Sequence, residues 1–438
     1  MISPQRRNEI IDSLRRGTVP QRSLDAFAVG LDHFEGALDD EMASVERGQG
    51  TFKAVRGEYG SGKTFFARWL QEKAKKRGFA TSEVQISETE TPLHRLETVY
   101  RRLVERLSTA DTPQGALRQI LDGWFYALEE DILAGGEVAE DDEETLLAKT
   151  NEMMEKRLWE ITRSAPALAA ALRAYRTAIA EEDAATAEGL IAWISGQPNV
   201  AANIKRKAGI KGDMDHFGAL SFLQGLLVIL QDSGHPGLLV VLDEVETLQR
   251  VRTDVRDKGL NALRQFIDEV DSGRFPGLYL LITGTPAFFE GPQGVQRLAP
   301  LAQRLNVDFS TEARFDNPRA VQIRLPGFDL PKLGLVGRNI RNLYAQGSST
   351  GERITEMASD DYVDTLAKAV TGNLGGKVGI APRVFLRKLV SDVLDRIDQF
   401  PDFNPREHYA LTLSDSELTE TERNMLVAAS VDDIELNL

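Results

Sequence analysis

The chain predicts an α/β fold: a parallel sheet core, interrupted by a long helical insertion and followed by a helical C-terminal lobe. Three observations carry that expectation. Residues 237–242 (GLLVVL) and 277–282 (GLYLLI) are short continuous apolar runs, as suits strands buried on both faces of a parallel sheet. A glycine-rich loop, GEYGSGKT at 57–64, stands between a strand pattern (TFKAV, 51–55) and a helix pattern (65–76). Residues 109–215 and the stretch after Pro326 are patterned almost wholly as helix.

Taken in order, residues 4–16 form a helical pattern with Ile10, Ile11 and Leu14 on one side, and the turn-rich RGTVP of 16–20 follows. A second helix spans about 34–47 and stops at Gly48, a suitable C-cap. After the loop and its helix, residues 81–87 (TSEVQIS) read as a strand and 93–107 as a helix with several basic residues. Strand and helix alternation resumes only at Gly237, which marks 109–215 as an insertion, and a last strand lies near 321–325. The expected organisation is a base domain at 1–325 containing that insertion, then a helical lid at 326–438 with an acidic tail. No internal repeat is present.

Composition narrows the chemistry. The 438 residues include no cysteine, which excludes disulfides, thiolate metal sites and cysteine nucleophiles. Five scattered histidines lack the spacing of a zinc site. The N-terminus has no apolar signal core and no run reaches membrane-spanning length, so a cytoplasmic protein without membrane contact is expected. Net charge is −15, which rules out a uniformly basic nucleic-acid clamp but not a local basic surface. Six carboxylates crowd residues 137–144, read as a solvated stretch.

The loop Gly57-Glu58-Tyr59-Gly60-Ser61-Gly62-Lys63-Thr64 fits the P-loop pattern G-x-x-x-x-G-K-[ST]. Glycines permit φ > 0 and let backbone N–H groups approach phosphate oxygens, while the helix N-terminus adds its dipole. Lys63 would meet the β- and γ-phosphates of ATP, Thr64 would ligate Mg²⁺, and Phe65 continues into the helix beside them. The second motif is the apolar run ending in Asp243-Glu244, a Walker B strand. Asp243 would hold Mg²⁺ through water and Glu244 would polarise the attacking water; Glu246, two residues on, is the lesser candidate. At the end of the next strand, Thr283 is preferred over Thr285 as the polar group between the two motifs.

A sheet of this kind with an all-helical C-terminal lobe resembles the AAA+ superfamily, especially its ORC/Cdc6-like initiator and helicase-loader branch. In GIAPRVFL (379–386), Arg383 matches the sensor-2 position, and Pro382 suits the first helical turn. That resemblance also implies an arginine given to a neighbouring subunit's site. Arg304 is preferred over Arg297, with Arg314 and Arg319 left open. The runs IIDSLRRGTVPQRSLDAFAVGLDHF, GEYGSGKTFF and GLLVVLDEVETL look like the ATP-binding protein of BREX phage-defence systems, the BrxD type. This closer resemblance implies a gene beside a helicase, and Arg16, Gly17, Val19 and Pro20 bordering the adenine.

Two basic stretches could meet DNA: residues 204–212 (IKRKAGIKG), and Arg101, Arg102 and Arg106 on a helix. No winged-helix pattern accompanies them. The expected function is therefore an ATPase that assembles with itself as a ring or spiral on DNA and loads a helicase. The alternative is a STAND-like nucleotide switch that controls a protein partner without DNA. A metabolic P-loop kinase is disfavoured, because no small-substrate site is evident.

Overall fold

The computed structural model describes residues 2–136, 142–159, 162, 165–373 and 381–411. Five strands, β1 (Thr51–Arg56), β2 (Ala80–Gln85), β3 (Leu238–Asp243), β4 (Leu278–Gly284) and β5 (Gln322–Arg324), pair in parallel in the order β2-β3-β4-β1-β5. The P-loop strand β1 thus lies between β4 and β5, with β3 one strand further out. All five present their C-terminal ends at one edge, in register: Gln85 faces Asp243, and Val55 faces Thr283.

Burial on both faces explains the unbroken apolar runs. Leu238, Val240, Leu242, Leu278, Leu280 and Ile282 point into one core, while Leu239, Val241, Tyr279 and Leu281 point into the other. Side chains alternate across a pleated strand, so a one-residue slip would exchange the two sets.

The first core is shared with the insertion. Helix α4 (Leu96–Glu105) and helices Leu117–Ala134, Pro166–Ala180, Ala184–Ile194 and His216–Asp232 bury Trp124, Tyr175, Trp193 and Phe222 against that sheet face. Their polar atoms are matched: Trp124 Nε1 donates to Asp232 at 3.2 Å and the Tyr175 hydroxyl to Asp122 at 2.6 Å. The inserted helices therefore extend the sheet's own core.

The second core holds α1 (Pro4–Arg15), α2 (Asp32–Glu46), α3 (Lys63–Lys76) and the C-terminal helices. The latter are Leu330–Ala345, Gly351–Met357, Asp360–Asn373 and Ala381–Lys388; the last runs on through Leu389–Leu394 to Asp395–Gln399. Helix α1, grouped by sequence with the base, packs on these helices. Arg15 donates to both Asp395 oxygens at 2.7 and 2.8 Å, and the Tyr344 hydroxyl joins them at 2.8 Å.

Element ends differ from the sequence reading for local reasons. Helix α3 starts at Lys63 because Gly62, at φ 93°, completes the loop directly before it. Helix α4 starts at Leu96 because Pro92 opens a turn closed by the Arg95 N–H. The acidic tail from 412, most of the 137–144 stretch, and Gly379 and Ile380 lie outside the described residues.

Candidate nucleotide site

The P-loop leaves β1 and is pinned at its start, where Gly57 N–H donates to the Gly284 carbonyl at 3.1 Å. A Cβ at Gly57 would stand 2.3 Å from Ser61 Oγ and 3.2 Å from Ser61 Cβ, so a larger residue there requires the Ser61 side chain to turn away. Gly60 and Gly62 take φ of 77° and 93°, and the loop then turns straight into α3.

Lys63 is buried and turned back on its own loop. Its Nζ donates to the Gly57 and Glu58 carbonyls at 2.8 and 3.3 Å and stands 4.0 Å from Glu246. Burial pulls its pKa down, against the opposing pull of Glu246 and Asp243. Glu246 is 4% exposed, and neither of its oxygens has a hydrogen-bond partner. Burial, only partly offset by Lys63, pushes its pKa up to about 7.

A single chain of hydrogen bonds joins the strand ends. Thr64 Oγ1 donates to one Asp243 oxygen at 3.1 Å, and Thr283 Oγ1 donates to the other. Thr283 in turn accepts the Glu244 N–H at 3.2 Å. Burial raises the pKa of Asp243, while these hydroxyl bonds oppose it. Glu244 has φ 59°, a region that costs a non-glycine residue about 1–2 kcal/mol. Its carboxylate accepts from Gln85 Nε2 at 2.9 Å.

Above this floor lies a cavity of about 440 Å³, within the range of small-molecule sites. Leu14, Val19, Pro20, Phe27, Leu31 and Phe65 give it an apolar wall, Lys332, Val336, Arg383 and Leu386 approach from the C-terminal helices, and Phe328 from the loop before them. A Cβ at Gly17 would come within 3.2 Å of the Arg383 guanidinium, so the N-terminal turn and that arginine touch closely.

The residues fit a magnesium triphosphate. Thr64 and Asp243 form an all-oxygen donor set of the kind Mg²⁺ takes together with phosphate oxygens. The loop is packed closely at Gly57, and a lysine hydrogen-bonded to loop carbonyls can exchange them for phosphate.

Most of the sequence candidates come together here. Tyr59, Gly60, Ser61, Gly62, Lys63, Thr64, Phe65, Asp243, Glu244, Gly17, Val19, Pro20 and Arg383 all line the cavity. Thr283 acts from beneath, through Asp243 and Glu244. Thr285 instead begins the short Pro286–Glu290 helix, its carbonyl accepting the Phe288 N–H at 3.0 Å. Glu58 is exposed and contributes its carbonyl, and Arg16 is exposed at the end of α1, outside the lining. None of the four finger candidates borders this chain's own cavity. Arg304 pairs with Asp268 at 2.7 Å and with Asp271 at 2.5 Å, Arg297 with Asp257, Arg314 with Glu312 and Arg319 with Asp40. Sequence reasoning missed Gln85, whose signal was its place at a strand end on the same sheet edge. It also missed Phe27, Leu31, Phe328 and Lys332, which carry no motif.

Among solved structures, one titled "Structure of the Aeropyrum Pernix ORC2 protein (ADPNP-ADP complexes)" aligns at 13% identity and a TM-score of 0.32. The alignment covers 92% of this chain and 81% of that one. No curated protein matches. Among the described residues no helix is long and apolar enough to cross a membrane. The profile of the family described as BREX system ATP-binding protein BrxC/D matches residues 2–413, and the chain belongs to that family.

Proposed function

We propose that this chain is an AAA+ ATP hydrolase whose nucleotide state governs its self-assembly on DNA, and that it loads a helicase in phage defence. The observation that carries the hydrolytic part is the bonded series Thr64, Asp243, Thr283, Glu244 at a cavity that Arg383 also lines.

Lys63 leaves the loop carbonyls for the β- and γ-phosphates, and the loop N–H groups hold the remaining charge. Thr64 and Asp243 would hold Mg²⁺, which when bound neutralises phosphate charge. Glu244 accepts the proton of the attacking water as that oxygen bonds to the γ-phosphorus and the bond to ADP breaks. Thr283 fixes the Glu244 backbone and one Asp243 oxygen, so the two acids stay in register. Arg383 brings charge from the C-terminal helices to the same phosphate, which ties nucleotide binding to lid closure. Arg304 serves a neighbouring copy's site.

The test is direct. Lys63→Ala abolishes ATP binding, whereas Glu244→Gln binds ATP with near-native affinity and loses turnover by at least about 10²-fold. Rapid hydrolysis by the Glu244→Gln protein would refute the role given to Glu244.

The second reading, a STAND-like switch on a protein partner, draws support from the basic stretch at 204–212. Lys205 is bound to Asp213 at 3.1 Å and Lys207 to Asp183 at 2.7 Å, so half of its cations are neutralised within the chain. Duplex binding titrated with salt, with and without ATP, separates the two readings. Absence of binding at low salt favours the switch.

A further inference from the structure

The segment joining α1 to α2 has two sides. Val19 and Pro20 line the nucleotide cavity, while Gln21 and Arg22 face a separate pocket of about 210 Å³ beside α3 and the start of the insertion. The lining of this second pocket carries five cations, Arg6, Arg22, Arg68, Lys75 and Lys76, against one carboxylate, Glu72. That balance is the reverse of the chain's net charge of −15.

The neighbouring acids are already committed. Glu72 accepts the Ser23 and Leu24 N–H groups at 2.9 and 2.8 Å, Arg68 is held by Glu83 at 3.1 Å, and Lys76 by Asp25 at 2.5 Å. Arg6, Arg22 and Lys75 make no side-chain hydrogen bond or ion pair among the described residues. Lys75 is half-buried, and burial together with Arg22 lowers its pKa against the weaker pull of Glu72 and Glu83. Three cations that share a concave site repel one another and concentrate positive potential there. An anion with several oxygens reverses that cost by accepting from all three.

We propose that this pocket is a phosphate-binding site, separate from the nucleotide cavity, that takes a phosphate group between Arg6, Arg22 and Lys75. Two sources carry the required chemistry: a nucleic-acid backbone and a free polyphosphate anion.

The experiment uses the full chain with its nucleotide site saturated by ADP. Inorganic pyrophosphate is titrated calorimetrically, and a labelled 20-base-pair duplex is followed by anisotropy across a salt series. Arg22→Gln and Lys75→Gln each weaken binding about tenfold, and Lys75→Gln lowers the salt slope for the duplex by about one. Arg22→Lys and Lys75→Arg restore most of the affinity. Melting temperature and ADP affinity close to wild type show that the glutamine variants are folded.

Losses with both probes establish the shared chemistry. A loss with the duplex alone identifies the backbone as the source, and a loss with pyrophosphate alone identifies the free anion. The duplex arm rests on the DNA reading proposed above and the pyrophosphate arm does not. A wild-type protein that binds pyrophosphate but no duplex therefore sinks the DNA reading and keeps the pocket. Binding of neither probe, or equal binding by wild type and both glutamine variants, overturns the proposal.

Discussion

At the scale of single residues, two acids near the P-loop lysine have unlike surroundings. Glu246 is enclosed, without a hydrogen bond, and its carboxyl is raised from its ordinary 4.5 to about 7. Because the folded-state value is the higher one, the native protein holds a proton there that the unfolded chain releases between about pH 4.5 and 7. Stability from this group is therefore greatest below pH 4.5 and falls as pH rises to about 7. The displacement is worth of order 3 kcal/mol. Glu246→Gln should melt close to wild type at pH 5 and be distinctly more stable at pH 8.5, in scans without nucleotide. A constant difference across that range would show that Glu246 does not titrate there. Gln85 acts on the other acid. Its amide fixes the Glu244 carboxylate, which stands on a strained backbone and lines the cavity. Gln85→Ala should lower kcat by about ten- to a hundredfold and leave ATP affinity unchanged, since a hydrogen bond to a charged group is worth about 1.5–3 kcal/mol. Equal losses in kcat and affinity would instead mean a disturbed fold.

At the scale of elements, the sequence was legible where the signal is local. The P-loop is a fixed spacing of eight residues, and GLLVVL and GLYLLI announce strands because both faces of the sheet are covered. Helix α1 shows the limit. Ile10, Ile11 and Leu14 reveal a buried stripe but not what buries it, and the answer comes from residues nearly four hundred positions away. Gln85 was hidden in the same manner, because its partner Glu244 follows a different strand, far along the chain. The apolar wall of Phe27, Leu31 and Phe328 was invisible, since an apolar side chain lining a cavity reads like one filling a core. The docking of α1 has a functional consequence. The turn at Gly17–Pro20 that borders the cavity hangs from the end of α1, and α1 is held by Arg15 on Asp395. Asp395→Ala leaves Arg15 and the Tyr344 hydroxyl without that acceptor in a half-buried place. A loss of about 1–3 kcal/mol is expected, with ATP affinity reduced in step as the turn loosens. Melting and fluorescent-nucleotide titration check both halves, and unchanged nucleotide affinity in a destabilised variant would separate α1 from the site.

At the scale of the whole molecule, the proposed mechanism takes one group from outside the chain, a neighbouring copy's arginine. Within the chain, Arg304 is occupied by Asp268 and Asp271, yet its side chain remains 43% exposed. A half-exposed surface pair is worth only about 0–1 kcal/mol, so a neighbour's phosphate can displace it. If Arg304 serves that neighbour, turnover depends on how many subunits are assembled. Specific activity should fall on dilution, and Arg304→Ala should lose most of its turnover while binding ATP normally. Lys63→Ala lacks its own nucleotide but keeps a sound arginine, whereas Arg304→Ala keeps its nucleotide and lacks the arginine. Each should be largely inactive alone, and mixing them should return a measurable fraction of wild-type hydrolysis, because some interfaces then join an intact P-loop to an intact Arg304. Mass measurement with ATP, with and without DNA, would report the size of the assembly that the rescue requires. Normal hydrolysis by Arg304→Ala under assembling conditions would move the role to another arginine, and turnover independent of dilution would remove the need for a neighbour altogether.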